Sequence, residues 1–119
     1  MLNNATCFNN IYIVCCRTDL RYGIDSLAGV LQSLGIENPA SANTLYLFCG
    51  RRSDRIKGLV WEGDGFLLLY KKLVNGSFQW PRNASEVKSL TAKQFRWLME
   101  GLTIEPRKSV KEVSFEYMS

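Results

Sequence analysis

Four cationic side chains lie close together in one short stretch of the sequence, CGRRSDRIK at 49–57. They are Arg51, Arg52, Arg55 and Lys57. Like charges at this spacing repel each other unless water, salt or an anionic partner screens them. Arginine is well suited to grip phosphate oxygens through two parallel hydrogen bonds, and backbone amides at a glycine turn add further donors. The stretch therefore predicts either a solvated loop tip or a binding site for a polyanion.

Turn signals around this stretch predict a series of short antiparallel strands. Apolar residues alternate from Thr44 onward, and Asp-Gly and Asn-Gly dipeptides tolerate the positive φ angles of tight hairpin turns. Proline at 81 ends the series because it cannot donate to a ladder. The predicted strands cover residues 44–49, 55–63, 66–74 and 77–80. They predict an antiparallel meander.

A two-residue turn at Asp64-Gly65 would fix the pairing of the second and third of these strands. The resulting pairs are Gly63 with Phe66, Trp61 with Leu68, Leu59 with Tyr70, and Lys57 with Lys72. All of these residues share one face of the sheet, which we predict to be exposed, apolar near the turn and basic at its far end. Opposed lysines destabilise a sheet, and an anion between them would reverse that effect. The alternative is a basic edge that only deters aggregation.

The remaining elements predict a single α+β domain over residues 1–119. A first strand is indicated at 10–16, and a second helix after a capping box that starts at Thr91. The first helix ends at Gly35 and begins either near Leu20, with Asp19 as its cap, or at Ile24, with Asp19 in a preceding turn. The second helix is predicted to present Phe95, Leu98, Met99 and Leu102 on one apolar face. We expect both helices to pack on the same face of a sheet of four to five strands. The tail, 103–119, is mixed in charge and is assigned no element, with an extra strand at 110–117 as the alternative.

Residue types argue against catalysis and against a metal or cofactor site. The chain has no histidine to complete a triad or a metal shell, and none of its four cysteines has C-x-x-C spacing. Cys7, Cys15, Cys16 and Cys49 are therefore interpreted as reduced thiols. A nuclease would need two or three carboxylates converging on Mg²⁺, but turns, caps and arginine partners offer simpler roles for the candidates. Those candidates are Asp19, Asp25, Asp54, Glu62 and Asp64.

Bulk charge permits nucleic acid as a partner without requiring it. Fifteen basic residues against eleven acidic ones give a net charge of +4, with an isoelectric point near 9.0. No apolar run is long enough to cross a bilayer, so no membrane partner is expected and the chain is predicted to be cytosolic. No small-molecule substrate is expected either.

Several motifs, in order along the chain, resemble a known family over about residues 8 to 102. The matching stretches are YIV at 12–14, TDLRYGIDSL at 18–27, FCGRRSDRIK at 48–57, WEGDGF at 61–66, LYKKL at 69–73, FQWP at 78–81 and LT at 90–91. Together they resemble the accessory protein, often called TnpB, from the second reading frame of bacterial insertion sequences of family 66. It is distinct from the RNA-guided nuclease that shares the label.

This resemblance implies a non-catalytic factor that works beside a separate transposase, which carries the cutting and joining chemistry. Its basic motif falls on the arginines and lysine of the 49–57 stretch, and its acidic-glycine turn on 62–65. The chain departs from the family at Ser53, where many relatives carry a basic residue, and at Lys72, where they often carry arginine. Both changes reduce the capacity to grip phosphate. A bacterial, nucleoid-associated location is implied.

The sequence therefore predicts DNA as a partner, contacted through one basic face in support of transposition. The predicted DNA-binding residues are Arg51, Arg52, Arg55, Lys57, Tyr70 and Lys72, with Tyr70 placed to stack on an unpaired base. The alternative is a module that docks on the transposase, or on another protein encoded by the element, through apolar residues of the same face. Those interface candidates are Leu59, Trp61, Phe66 and Leu68.

Overall fold

Five strands form one mixed sheet in the computed structural model, which describes residues 8–82 and 86–104. The elements are β1 (Asn10–Val14), α1 (Ile24–Ser33), β2 (Thr44–Cys49), β3 (Arg55–Trp61), β4 (Phe66–Lys72), β5 (Val87–Leu90) and α2 (Ala92–Met99). Their order across the sheet is β4-β3-β2-β1-β5. The predicted α+β class is confirmed. Cys7 and the possible strand at 110–117 lie outside the described residues.

The sheet is not a simple meander. Strands β2, β3 and β4 pair as antiparallel neighbours, as predicted, but β1 runs parallel to β2 and α1 connects the two. Strand β5, which sequence reasoning missed, pairs antiparallel with β1 at the other edge. Two parallel strands need a long crossover between them, and a helix is its usual form.

Residues 77–80 do not form the predicted fourth strand. Phe78 and Trp80 are buried in the core, and the Trp80 indole Nε1 donates a hydrogen bond to the Val14 carbonyl oxygen at 2.9 Å. A buried tryptophan needs such a partner for its N–H group. This bond draws the segment across the sheet and away from the free edge of β4.

The two helices cover opposite faces of the sheet, so the prediction that both lie on one face is wrong. Leu27 and Leu31 of α1 pack on Tyr46, Phe48 and Leu59. The apolar side chains of α2 pack on the other face, in a cluster that includes Phe95, Leu98, Met99, Leu45, Leu47 and Ile56. All six residues of β2 are buried. A strand whose side chains are apolar on both faces needs a packed layer against each face.

Both helices end where left-handed glycines predict. Gly35 (φ 99°) follows α1 and Gly101 (φ 80°) follows α2. The capping box is also confirmed: the Gln94 N–H donates to Thr91 Oγ1 at 3.0 Å, and the Thr91 N–H donates to Gln94 Oε1 at 2.9 Å. Leu102 was wrongly placed on the apolar face of α2. It lies beyond the helix and is exposed.

The β3–β4 hairpin is offset by two residues from the predicted register. Trp61 pairs with Phe66, Leu59 with Leu68, Lys57 with Tyr70, and Arg55 with Lys72. The loop therefore contains the four residues 62–65, closed by a hydrogen bond from the Glu62 N–H to the Gly65 carbonyl oxygen at 2.8 Å. Gly63 rather than Gly65 takes the positive φ of 94°. An offset of two keeps every side chain on its predicted face but changes its neighbours.

No described helix has the length and apolar character needed to cross a bilayer.

Candidate nucleic-acid interface

A concave cleft of about 560 Å³ opens where the segment after β1 packs against the turn after β2. Its lining consists of Arg17, Thr18, Asp19, Leu20, Arg21, Gly50, Arg51, Arg52 and Arg55. We call it the arginine cleft. Because β1 and β2 are parallel, their carboxyl ends meet at the same end of the sheet, and the chain following each strand emerges there. This pairing brings together arginines that are more than thirty positions apart in the sequence.

A backbone hydrogen bond joins the two walls of the arginine cleft, and the side chain of Arg82 contacts the turn from a third segment. The Thr18 N–H donates to the Cys49 carbonyl oxygen at 3.0 Å. Behind the turn, the Arg82 Nη2 atom donates to the Gly50 carbonyl oxygen and lies 3.4 Å from Cys49 Sγ. Sequence reasoning missed this role of Arg82, since no local pattern links it to the turn. The turn that carries the exposed arginines is thus fixed from both sides.

Gly50 is required by close approach. A Cβ atom built at this position would lie 3.2 Å from the Thr18 carbonyl oxygen and 3.1 Å from Leu20 Cγ. We expect Gly50→Ala to lower the free energy of unfolding by about 1–3 kcal/mol, because the backbone of the opposite wall must move. Urea denaturation of the two proteins measures this change.

Gly29→Ala is the matched control for Gly50→Ala. Gly29 is an exposed residue of α1, and a Cβ atom placed on it would have no other atom within 4 Å. Alanine there should stabilise the helix by about 0.5–1 kcal/mol. Equal effects of the two substitutions would contradict the close packing of the cleft walls.

The five arginines of the cleft differ in how they are paired. Arg21 contacts Asp19, with 2.7 Å between Nη2 and Oδ2, and Arg55 contacts Asp54, with 3.0 Å between Nε and Oδ1. Arg17, Arg51 and Arg52 are exposed and form no ion pair with any residue in 8–82 or 86–104; they are the three unpaired arginines of the cleft. Three positive charges therefore line one concavity without an ion-pair contact among the described residues, and the charge of Arg52 also acts on Asp54 from a distance.

Arginine neighbours also shift the acidity of the two aspartates. Hydrogen bonds from Arg21 lower the pKa of Asp19 from 3.8 to about 2, with a smaller contribution from the charge of Lys57. The hydrogen bond from Arg55 lowers the pKa of Asp54. Both carboxylates thus stay ionised at neutral pH and occupy their arginine partners. They are placed as ion-pair partners rather than as free ligands for a metal ion.

The Asp19 pKa gives a direct test of the cleft geometry. Its value is depressed in the folded chain, so the stabilisation from its ion pair is present above about pH 3.8 and is lost as the pH falls toward 2. We expect an NMR titration of the Asp19 carboxyl carbon to show a midpoint near 2. Arg21→Gln should return the midpoint toward 3.8. A midpoint near 3.8 in the unsubstituted protein would contradict the Asp19–Arg21 contact.

The other predicted DNA-binding residues border the cleft on the β3–β4 face. Lys57 Nζ donates to the Tyr22 carbonyl oxygen at 2.9 Å and lies 6.0 Å from the centre of the Tyr70 ring. Lys72 is exposed and pairs across the strands with Arg55. Lys57 therefore faces Tyr70, and the predicted opposition of Lys57 and Lys72 is wrong. The predicted basic residues do gather at one end of the sheet, although Arg55 and Lys57 already have partners.

The predicted apolar interface is largely covered. Leu59 is fully buried beneath α1, so it is not the exposed residue that the sequence predicted. Phe66 and Leu68 are half-buried against the same cluster. Trp61 is half-buried and packs edge-on against Phe66, with 5.0 Å between ring centres. Helix α1 thus occupies the surface that was assigned to a partner.

The described residues contain no group of three or more acidic or cysteine side chains arranged to hold a metal ion. Cys15 and Cys49 are buried and Cys16 is half-buried. Burial raises the pKa of the Cys49 thiol. The arginine cleft gathers five arginine side chains, which makes it the candidate site for an anionic ligand in the described part of the chain.

Comparison with known proteins shows that the chain is similar to members of one family. The family model described as IS66 Orf2 like protein matches residues 9–109. The uncharacterized protein y4hO of Sinorhizobium fredii is 32% identical over 92 residues, covering 77% of this chain and 79% of the relative. The uncharacterized protein y4jC of the same organism is 30% identical over 95 residues, covering 78% and 80%. No solved structure shows significant similarity.

Proposed function

The chain belongs to the IS66 Orf2-like family of insertion-sequence accessory proteins, and from this premise we propose that it assists transposition by binding DNA in the arginine cleft. The cutting and joining steps are assigned to a separate transposase. In this role the protein binds and positions the DNA and catalyses no covalent step. The arginine side chains of the cleft suit a binding role without catalysis, because arginine binds phosphate oxygens without changing its protonation state.

The observation that carries this proposal is the convergence of the three unpaired arginines, Arg17, Arg51 and Arg52, on one concavity. Their mutual repulsion opposes the arrangement in the free protein. A phosphate group among them converts that repulsion into charge-assisted hydrogen bonds, which are stronger than neutral ones. The fixed Gly50 turn holds two of the three guanidinium groups on a rigid support, so little backbone freedom is lost on binding.

Binding measured across a range of salt concentrations tests the proposal. Affinity for duplex DNA should fall steeply with salt, with a log-log slope of about 0.9 for each phosphate that the protein neutralises. A gel-shift series at four or more salt concentrations, comparing the ends of the element with random duplex, measures both the slope and any sequence preference. The absence of binding at low salt would contradict the proposal.

A second role, docking on the transposase, is favoured by one specific observation. A pocket of about 370 Å³ beside the 62–65 loop is lined mainly by apolar side chains, among them Phe8, Trp61, Leu67 and Leu69. Of the four interface residues predicted from the sequence, Trp61 lines this pocket, and Leu59, Phe66 and Leu68 do not. Association with purified transposase that resists salt and is lost in Trp61→Ala would support docking. Retained association in that variant would exclude this pocket as the interface.

A further inference from the structure

We infer that the arginine cleft takes single-stranded DNA in preference to duplex DNA, with phosphates held by its arginines and bases stacked on Tyr22 and Tyr70. This inference rests on the proposed function and narrows its substrate class. Two kinds of observation support it. One is the pair of exposed aromatic rings at the border of the cleft, and the other is the size and concave shape of the cleft.

One lysine near the arginine cleft contacts the backbone of Tyr22 and the ring of Tyr70. Lys57 Nζ is held 2.9 Å from the Tyr22 carbonyl oxygen and lies 6.0 Å from the centre of the Tyr70 ring. Tyr22 is 41% exposed and Tyr70 is 55% exposed, which makes them the most exposed aromatic residues of the described chain. We call these three residues the Tyr-Lys-Tyr patch.

The Tyr-Lys-Tyr patch is continuous with the arginine cleft. Tyr22 directly follows Arg21, which lines the cleft. Lys57 is near enough to Asp19, another lining residue, for its charge to act on that carboxylate. Tyr70 likewise acts on the guanidinium of Arg55. A strand whose backbone runs through the cleft would therefore bring its bases past the tyrosine rings.

Exposed aromatic rings beside a basic groove suit unpaired bases. A base from a single strand stacks on a tyrosine ring whatever its identity, because every base has a π face. In a duplex the faces of the bases are already stacked on one another, so the rings offer no such gain. Lys57, which lies 6.0 Å from the centre of the Tyr70 ring, adds a positive charge beside that ring.

The shape of the cleft points to the same ligand. Its volume of about 560 Å³ lies within the range of about 300–1,000 Å³ that is typical of pockets for small ligands. A flexible single strand can turn a few phosphates into such a concavity. The phosphates of a duplex border a rigid major groove about 12 Å wide and meet the protein from a convex surface. A rigid duplex would therefore present fewer phosphates to the concavity at one time than a single strand would.

Fluorescence anisotropy with the full-length chain tests this inference. The probes are a labelled mixed-sequence 12-nucleotide strand and the same strand annealed to its complement. We expect the single strand to bind about tenfold more tightly than the duplex. We expect Tyr70→Leu to weaken single-strand binding about five- to tenfold and so to remove most of the difference between the two probes. Tyr70→Phe keeps the ring and should bind like the unsubstituted protein.

Each outcome separates the inference from the proposed function. Equal or tighter binding of the duplex, or no effect of Tyr70→Leu on the single strand, overturns the preference for single strands and leaves DNA binding in place. Failure of both probes to bind at low salt overturns the proposed function itself. Thermal unfolding of the three proteins checks the fold, which should be retained because the Tyr70 side chain is largely exposed.

Discussion

Substituting glutamate for both Arg51 and Arg52 is expected to weaken DNA binding by at least about a hundredfold at low salt. Each arginine is exposed, lines the cleft and lacks an ion-pair partner among the described residues. Hydrogen bonds to charged groups contribute about 1.5–3 kcal/mol each, and every 1.4 kcal/mol is a tenfold change in affinity. Two lost contacts, together with new repulsion between carboxylate and phosphate, account for the expected size. Anisotropy titration measures it.

A matched change in net charge on α2 is the control. Lys93 and Arg96 are exposed on a helix that packs on the opposite face of the sheet from α1. Replacing both by glutamate alters the net charge of the chain by the same amount. We expect this double variant to bind DNA within about threefold of the unsubstituted protein, since exposed charges more than a Debye length from the DNA are largely screened. Equal losses in the two double variants would show that overall charge, and not the cleft, sets the affinity.

Phe48→Ala should produce the largest loss of stability among the substitutions considered, about 3–5 kcal/mol. Phe48 is fully buried on β2, within the cluster that Leu27 and Leu31 of α1 form with Leu59. Removing the ring leaves a cavity beneath the helix that connects the two parallel strands. Proteins of this kind have a total stability of about 5–15 kcal/mol, so the loss is a large share of it. Urea denaturation monitored by circular dichroism gives the difference.

Phe48→Leu separates the loss of volume from the loss of the aromatic ring. Leucine fills much of the same space, so we expect a loss of no more than about 1.5 kcal/mol. A Phe48→Ala variant that unfolds within about 1 kcal/mol of the unsubstituted protein would contradict the close packing of α1 on this face of the sheet. In that case the support of the cleft by the β1–α1–β2 unit would also be in doubt.

Local signals predicted the elements well. The α2 start was correct because the capping box involves only Thr91 and Gln94, three residues apart, and both helix ends were correct because Gly35 and Gly101 each adopt a positive φ. The β2–β3–β4 hairpins followed from turn residues in the same way. The two-residue error in register arose because Asp64-Gly65 resembles a tight turn, whereas Gly63 takes the positive φ.

Contacts between distant parts of the chain were not predictable by the same means. The parallel pairing of β1 with β2 has no turn residue that marks its register, and without this pairing Arg17 and Arg21 would not lie beside the Gly50 turn. Two signals pointed toward it. One is the order strand, helix, strand near the start of the chain, and the other is the continuous apolar character of 44–49, which needs a cover on both faces. The burial of Leu59 follows from that same cover.

The salt dependence of DNA binding in Arg17→Ala tests the central claim most directly, because only the fold brings Arg17 to the turn that carries Arg52. If the cleft holds DNA phosphates, the log-log slope should fall in Arg17→Ala by about 0.7 with the single-strand probe or about 0.9 with the duplex, and by a similar amount in Arg52→Ala, relative to the unsubstituted protein. Slopes that stay unchanged in both variants, at preserved stability, would show that the DNA does not enter the arginine cleft.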